Sequence, residues 1–432
     1  MGRPKKNSNT TAFLPVKKIN LLPGFFDIQT GLDKAWNLLL RNFLKTCRMY
    51  GFAKAEAPLL EDARLYSLFY EQEQPPARLV TLPFGNLNTA VRPTQLPGLI
   101  RSFVEAKLYE QPGLQKWYYA GPVLEQTQEH KIITDYEFGA EVLGQFSHLN
   151  EAQVIALAWT FFNSLGLEEI SLEVNNLGSP ESKKLYTETL VEAILPKKYD
   201  LCDDCEGWLE VSPLQMFRCQ NLDCQTILAD SGPSALDFLD EASNQNFTLV
   251  LESLEEMNIP YQLNPFYTGR PGATKSIFVF KFKSKDETLI LAEGGHRQSF
   301  AEKLSGKPMG AFGFNGSFRE LKAKLDKLIQ VEDARITSEV CLVPLGDLAS
   351  KRSLRLFKDL TEHKITVYDH FGQSGVKNQL KLAQLHEVPI ALIMGQKEAI
   401  DEMVILRDVK SGMQEIISYD KIVEEVKKRL GH

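Results

Sequence analysis

The chain opens its ordered pattern with a helical stripe. Between residues 32 and 50, Trp36, Leu39, Leu40, Phe43 and Leu44 recur at helical spacing, and Gly51 stops the run. The segment FAKAEAPLLE then reads as a strand leading to Pro58. A helix fits residues 96–108, and strands fit 117–123, 135–144 and 171–174. The helix at 150–165 is expected to start from an Asn150 cap with Glu151 in its first turn. Residues 176–265 read as mostly helical. Strand character returns at 276–283 and 288–292, and the glycine-rich 310–314 precedes a helix running through Leu328. Residues 333–339 read as a linker. Beyond it, strand (340–344), helix (350–363), strand (365–369), helix (377–385) and strand (389–394) alternate, which predicts a small α/β domain with crossover helices. Two short strands and a helix at 419–430 complete the pattern.

Length and charge narrow this picture. A chain of 432 residues predicts two or three domains, and 43% hydrophobic with 24% charged residues is ordinary for a globular protein. No run of 18 apolar residues exists, so no transmembrane helix is expected. The first twenty residues carry five Lys or Arg and no acid, and read as a disordered basic tail without a secretory h-region. With a net charge of −7 overall, the remainder is close to −12, so any nucleic-acid contact must use a local patch. The scattered cysteines and the missing signal point to a reducing, cytoplasmic location.

The most informative stretch is YYAGPVLEQTQEHKIITDYEFGAEVLG, residues 118–144. Its Gly-Pro-Val opening and Phe-Gly-Ala-Glu-Val closing resemble the second signature motif of class II aminoacyl-tRNA synthetases, in the histidyl-tRNA synthetase version. Other pieces resemble that family in order: Leu22-Pro23-Gly24-Phe25-Phe26-Asp27, then Gly51-Phe52 through Pro58-Leu59-Leu60-Glu61 as the first motif. Val91-Arg92-Pro93 matches the amino-acid loop, and Glu293-Gly294-Gly295 with Gly306 to Phe314 matches the approach to the third motif. The C-terminal segment resembles the family's anticodon-binding domain. The resemblance implies an α+β class II synthetase core, an antiparallel sheet with helices, over residues 21–334. It also implies a helical insertion at about 176–265 and an anticodon-binding α/β domain at 335–432. Further implications are tRNA as partner, homodimerisation through the first motif around Pro58, and ATP with Mg for a working ligase.

The departures fall where that family does its chemistry. Activation sets a carboxylate against an α-phosphate, and fixed arginines answer the negative charge. The second-motif arginine is replaced here by Glu125, and the glutamate two places on by Thr127. An ungapped third motif puts Arg319 and Glu320 where an acid and then an arginine stand. Turning one attraction at about 4 Å into repulsion swings roughly 8 kcal/mol at an effective dielectric near 20, up to about six decades in rate before screening. The amino-acid pocket is altered too. Arg92-Pro93-Thr94 replaces Arg-Pro-Glu, Glu137 replaces a glutamine, and Glu141 matches a retained acid. Thr268 falls on an arginine unless Arg270 takes its place by a shift, Gly272 and Ala273 replace two tyrosines, and Gly294-Gly295-His296 stands in a glycine-rich run that carried an arginine. These residues are the pocket positions by resemblance. The reading is a synthetase-like protein deficient in histidine activation that acts as a tRNA-binding, regulatory or partner subunit; the alternative is an active histidine–tRNA ligase with an atypical site.

Three features stand apart. Cys202-x2-Cys205 and Cys219-x4-Cys224, thirteen residues apart, could hold structural zinc through four thiolates, or could be reduced, partly buried thiols. Cys47 and Cys341 read as core. His296 reads as a nucleotide contact or a solvated loop histidine, and Gly294-Gly295 as a close approach to a ligand or a tight turn. In the C-terminal domain, where acidic and basic residues nearly balance, Lys377, Gln379, Lys381 and Arg407 resemble the region that reads the anticodon, or form an ordinary solvated face.

Overall fold

The computed structural model describes residues 19–28, 33–71, 79–127, 131–167, 169–270, 273–283, 288–328, 338–369 and 375–431. Most of the basic tail, most of the expected linker and Gly272 lie outside the described residues. The chain divides into two units, Met1–Gln330 and Val331–His432.

The first unit is built on an eight-stranded sheet. Its spatial order is Ala53–Lys54, Leu114–Gln126, Ile132–Gly144, Gly310–Ser317, Thr288–His296, Thr274–Lys283, Ile170–Asn176 and Gln262–Leu263. The inner strands pair antiparallel, while the two-residue strands at either edge pair parallel. The sheet is therefore mixed rather than wholly antiparallel, and the class remains α+β.

Strand alternation gives this sheet two chemically different faces. One face carries Tyr118, Phe138, Ala140, Val142, Phe278, Phe280, Phe312 and Phe314 into the main core. There they meet Trp36, Leu39, Phe43 and Cys47 of the Lys34–Met49 helix, and Phe161 and Phe162 of the His148–Asn163 helix. Each fully buried ring contributes roughly 1.5–3 kcal/mol through apolar area removed from water. The helical stripe at the N-terminus thus faces the core, with Asp33 accepting from the Trp36 N–H at 2.9 Å to cap it. Gly51, at φ +77°, ends that helix in a conformation that costs glycine little. The opposite sheet face carries Tyr119, Gly121, Glu125, Asp135, Glu137, Gly139, Glu141, Glu293 and Asn315. Cross-strand register places Gly121 beside Glu137, Gly139 beside Tyr119 and Asn315, and Glu293 beside Asn315.

Two details differ from the sequence reading. The helix expected at 150 starts at His148 after Ser147, and Asn150 is its third residue, accepting the Ser147 N–H at 3.1 Å. The strand expected at 288–292 runs on to His296, so Gly294 and Gly295 are strand residues rather than a turn.

The second unit holds a five-stranded sheet in the order Val367–Asp369, Val340–Pro344, Ile390–Met394, Met403–Asp408 and Gln414–Ser418. The first three strands are parallel, joined through the helices Asp347–Glu362 and Val376–Leu385, and the last two pair antiparallel. Cys341 is buried here, as Cys47 is in the first unit.

Candidate functional site

The polar sheet face gathers most of the sequence-predicted pocket residues. At its centre Glu137 is 5% exposed and accepts three hydrogen bonds: from the Thr94 hydroxyl at 2.6 Å, the Gln95 N–H at 2.7 Å and Asn315 Nδ2 at 2.9 Å. Burial still pushes its carboxyl up, although those donors pull the other way. Thr94, where the expected motif has an acid, and Glu137, where it has an amide, are therefore direct partners. The carboxylate missing from position 94 is supplied from position 137 on the neighbouring strand.

Glu141 lies two repeats of the alternation further along, past Gly139, fully buried, and burial raises its pKa to about 8, with Arg297 opposing and Glu137 reinforcing. Both Glu141 oxygens lack a hydrogen-bond partner, as do the Tyr119 hydroxyl and both amide atoms of Gln95. All three side chains are fully buried. Orphaned polar atoms at this density are costly unless a ligand or water completes them. The backbone makes room for them: a Cβ at Gly139 would overlap the Tyr119 hydroxyl, and one at Gly313 would overlap the Glu141 carboxylate.

The other end of the cleft is crowded with opposing charges. Arg270 brings its guanidinium there, with Nε 3.3 Å from Glu293 Oε2. Burial works against its charge, but Glu293 first, then Tyr70, Glu125 and Glu137, raise its pKa well above the ordinary value. Arg218 holds the other oxygen of Glu293 at 3.0 Å, and Tyr267 donates to it at 3.2 Å. Glu293 consequently stays below the usual carboxylate range despite its burial. Glu125 occupies a solvent-reaching position on its strand, yet the walls of the cleft remove enough water to raise its pKa; Arg270 and Arg319 oppose that shift, and Asp135 and Glu320 add to it. Glu320 responds alike, with burial first, then Asp135, Arg270, Arg319 and Glu293. Glu125 and Glu320 thus share one field.

The remaining predicted residues are placed as follows. Arg92 is 2% exposed and committed to the scaffold: it donates to the Pro122 carbonyl at 2.9 Å, to the Ala57 carbonyl, and lies 3.6 Å from Glu56. Thr268 donates to the Leu214 carbonyl at 3.1 Å. Thr127 closes the neck of the 114–144 hairpin, donating its N–H to Lys131 O at 2.8 Å. Arg319 is exposed, donates to Thr134 O at 3.0 Å and lies over the Phe26 ring. Gly294 leaves space that the Phe278 ring fills. His296 corrects the solvated-loop reading. It is 4% exposed, lies against the Phe146 and Phe312 rings, and sits 3.3 Å from the buried Glu151. Burial opposes ionisation of Glu151, but His296, Asn246 and Ser276 hold its pKa low.

Sequence reasoning missed Gln95, Tyr119, Asn315 and Arg297. For Tyr119 and Asn315 the signal was alternation along strands whose register the sequence does not print; Gln95 and Arg297 each precede a helix, and no local pattern marks them.

In the second unit Lys377 and Lys381 are exposed and Arg407 is half-buried. Gln379 departs from expectation: it is 1% exposed and donates to the Pro344 carbonyl at 3.2 Å, so it fastens its helix to the sheet. In the insertion, the Sγ atoms of Cys202, Cys205, Cys219 and Cys224 all lie within 4.8 Å of one another, a cluster that could hold a metal ion. Among the described residues no helix is long and apolar enough to cross a membrane.

Comparison with known proteins bears directly on this cleft. The family profile described as "Histidyl-tRNA synthetase" matches residues 24–180, and that of the "Anticodon binding domain" matches residues 339–429. Together the two cover more than half of the chain. The histidine–tRNA ligase of Desulfitobacterium hafniense is 29% identical over 415 residues, covering 94% of this chain and 97% of the relative. That of Bacillus velezensis is 27% identical over 413 residues, with 94% and 97% covered. Among solved structures, apo Staphylococcus aureus histidyl-tRNA synthetase superposes with a TM-score of 0.75 at 24% identity, covering 95% of this chain and 100% of that one. A Bacillus halodurans protein described as an ATP phosphoribosyltransferase regulatory subunit/histidyl-tRNA synthetase superposes with a TM-score of 0.60 at 14% identity, covering 88% and 99%.

Proposed function

The chain belongs to the histidyl-tRNA synthetase family, with its class II fold and C-terminal anticodon-binding domain, and from that premise we propose that it binds tRNA without activating histidine. It then serves as a regulatory or partner subunit. The observation that carries this reading is the shared field of Glu125 and Glu320 in one cleft. A triphosphate entering there meets Glu125, Asp135 and Glu320, and the guanidinium that acts most strongly on the two glutamates, Arg270, is already engaged by Glu293. Transition-state charge on an α-phosphate needs fixed, uncommitted cations, and each reversal of sign costs several kcal/mol.

The opposite end of the cleft supports retained binding of a small ligand. Glu137 and Glu141 supply buried carboxylates, and Tyr119 and Gln95 supply unpartnered polar atoms. A primary ammonium is the complementary group for two buried acids. The cleft on this reading holds an amine-bearing molecule of amino-acid size and stops there.

Lys377, Lys381 and Arg407 are the proposed tRNA contacts, and phosphate attraction to the two exposed lysines and the half-buried arginine is the physical basis. A second copy of the chain is the proposed partner around Pro58. The exposed Leu59, Leu60, Leu82, Phe84 and Leu87 form an apolar patch on the small sheet of Leu60–Asp62, Thr81–Phe84 and Leu87–Val91. Loss of dimer in Phe84→Glu, measured by sedimentation, tests this.

A second reading keeps the ligase activity. Two observations favour it: relatives along 94% of the chain are named histidine–tRNA ligase, and Arg270 does deliver one guanidinium into the cleft. ATP and Mg would then be required. Histidine-dependent ATP–pyrophosphate exchange on the purified protein separates the two readings.

A further inference from the structure

The four-cysteine cluster has more order than a chance gathering of core thiols. Cys202 precedes the Asp203–Val211 helix and Cys205 lies in its first turn. Cys219 ends the Pro213–Arg218 turn, and Cys224 lies in the first turn of the Leu222–Ser231 helix. Two helix N-termini therefore converge on one point, each offering N–H groups and positive partial charge to a thiolate. The backbone already donates to sulfur: the Cys202 N–H to Cys224 Sγ at 3.3 Å, and the Asn221 N–H to Cys219 Sγ at 3.4 Å. Cys202 Sγ and Cys219 Sγ are 3.7 Å apart. With metal–sulfur bonds of about 2.3 Å, the edge of a zinc–thiolate tetrahedron is about 3.8 Å. Cys205, Cys219 and Cys224 are all buried, so the ion would be shielded from exchange.

The cluster also has a mechanical connection to the cleft. The segment between Cys205 and Cys219 contains the Pro213–Arg218 turn. From that turn Arg218 reaches Glu293 at 3.0 Å, and the Leu214 carbonyl accepts from Thr268 at 3.1 Å. Fixing Cys219 fixes the residue next to Arg218.

We propose that Cys202, Cys205, Cys219 and Cys224 bind one Zn²⁺ in a closed, tetrahedral, structural site, and that this ion holds the Arg218 turn against the wall of the cleft. Four thiolates leave no open coordination position, so the ion does no chemistry on a substrate. Thiolate ligation also requires the cysteines to remain reduced, so oxidation to disulfides releases the ion.

The test uses the full chain purified without chelator. Elemental analysis is expected to find about one zinc per chain, as one four-ligand site requires. Cys205→Ser and Cys224→Ser are expected to lose it. Cobalt taken up by metal-stripped protein is expected to give thiolate-to-metal charge transfer in the near ultraviolet with intense tetrahedral visible bands. Because serine variants can misfold, the cobalt spectrum of the unaltered chain decides independently. For the link to the cleft, zinc removal is expected to speed proteolysis within residues 212–218. A chain that takes up neither metal, that titrates as four free thiols or two disulfides, or whose cobalt spectrum lacks thiolate charge transfer, overturns the proposal. Unchanged zinc in both serine variants does the same. Equal proteolysis with and without metal removes the link to the cleft.

Discussion

Thr94 donates its hydroxyl to Glu137 at 2.6 Å, so the two departures from the expected pocket form one hydrogen bond. An acid lost from the loop is met by an acid gained on the strand. Loss of Glu137 alone would leave Thr94, the Gln95 N–H and Asn315 without their shared acceptor, whereas the pair keeps the local charge of the pocket. The other end of the cleft shows no such exchange: Glu320 adds to the charge cost of Glu125, and Asp135 adds to both.

Glu137→Gln is the direct check on the amine end. It retains the shape and replaces a buried acceptor of three hydrogen bonds with a neutral amide. A charge-assisted hydrogen bond contributes roughly 1.5–3 kcal/mol, so binding of histidine or another amine-bearing ligand is expected to weaken by about tenfold or more. Titration calorimetry measures it. Thr94→Val should weaken binding less, since the Gln95 N–H and Asn315 still position the carboxylate.

Glu141 gives the cleft a pH signature. Its folded pKa, about 8, lies above the ordinary value of 4.5, so the native state holds a proton that the unfolded chain has released between those limits. Stability from this group is therefore present at low pH and lost as pH rises from 4.5 toward 8. Glu141→Gln removes the dependence and is expected to melt at higher temperature than the parent at pH 8, by about 2 °C or more, and with little difference at pH 5. Thermal melts across that range read it out.

Arg270 and Glu293 are coupled, and their removal is non-additive. Arg270→Ala leaves Glu293 with Arg218 and Tyr267 as remaining partners. The cost is expected to be about 1 kcal/mol rather than the several typical of a wholly buried pair, because the Arg270 side chain is 38% exposed. Arg270→Ala combined with Glu293→Gln should cost less than the sum of the two, measured by denaturant unfolding.

In the second unit, Lys377→Glu with Lys381→Glu is expected to weaken tRNA binding by tenfold or more at low salt and to flatten its salt dependence. Gln379→Ala should reduce thermal stability, since its amide fastens the helix to Pro344 O, while leaving charge-driven tRNA attraction intact. Filter binding at several salt concentrations separates the two effects.

Much of this was written in local sequence. The stripe Trp36, Leu39, Phe43 forms a helix because its spacing puts apolar side chains on one core-facing side, and the chain obeys it. The alternation Glu137, Phe138, Gly139, Ala140, Glu141, Val142 marks a strand with one polar face. What local pattern does not carry is register. The meeting of Thr94 with Glu137 depends on how the loop before the Leu96–Glu105 helix packs against the Ile132–Gly144 strand, and that is decided by packing across 43 positions of sequence. His296 looked like a loop residue because two glycines precede it. It is buried because those glycines continue a strand whose empty positions accommodate Phe278 and neighbouring backbone. Gln379 looked like a contact because its segment resembles the region that reads the anticodon, yet helical geometry turns it inward.

The central claim is that this cleft accepts an amine and does not activate it. Histidine-dependent ATP–pyrophosphate exchange by the purified full-length chain tests it most directly. The account predicts exchange no higher than in the absence of histidine, with histidine binding still detectable by calorimetry. Exchange at the rate of a working synthetase, abolished by Arg270→Ala, would contradict it.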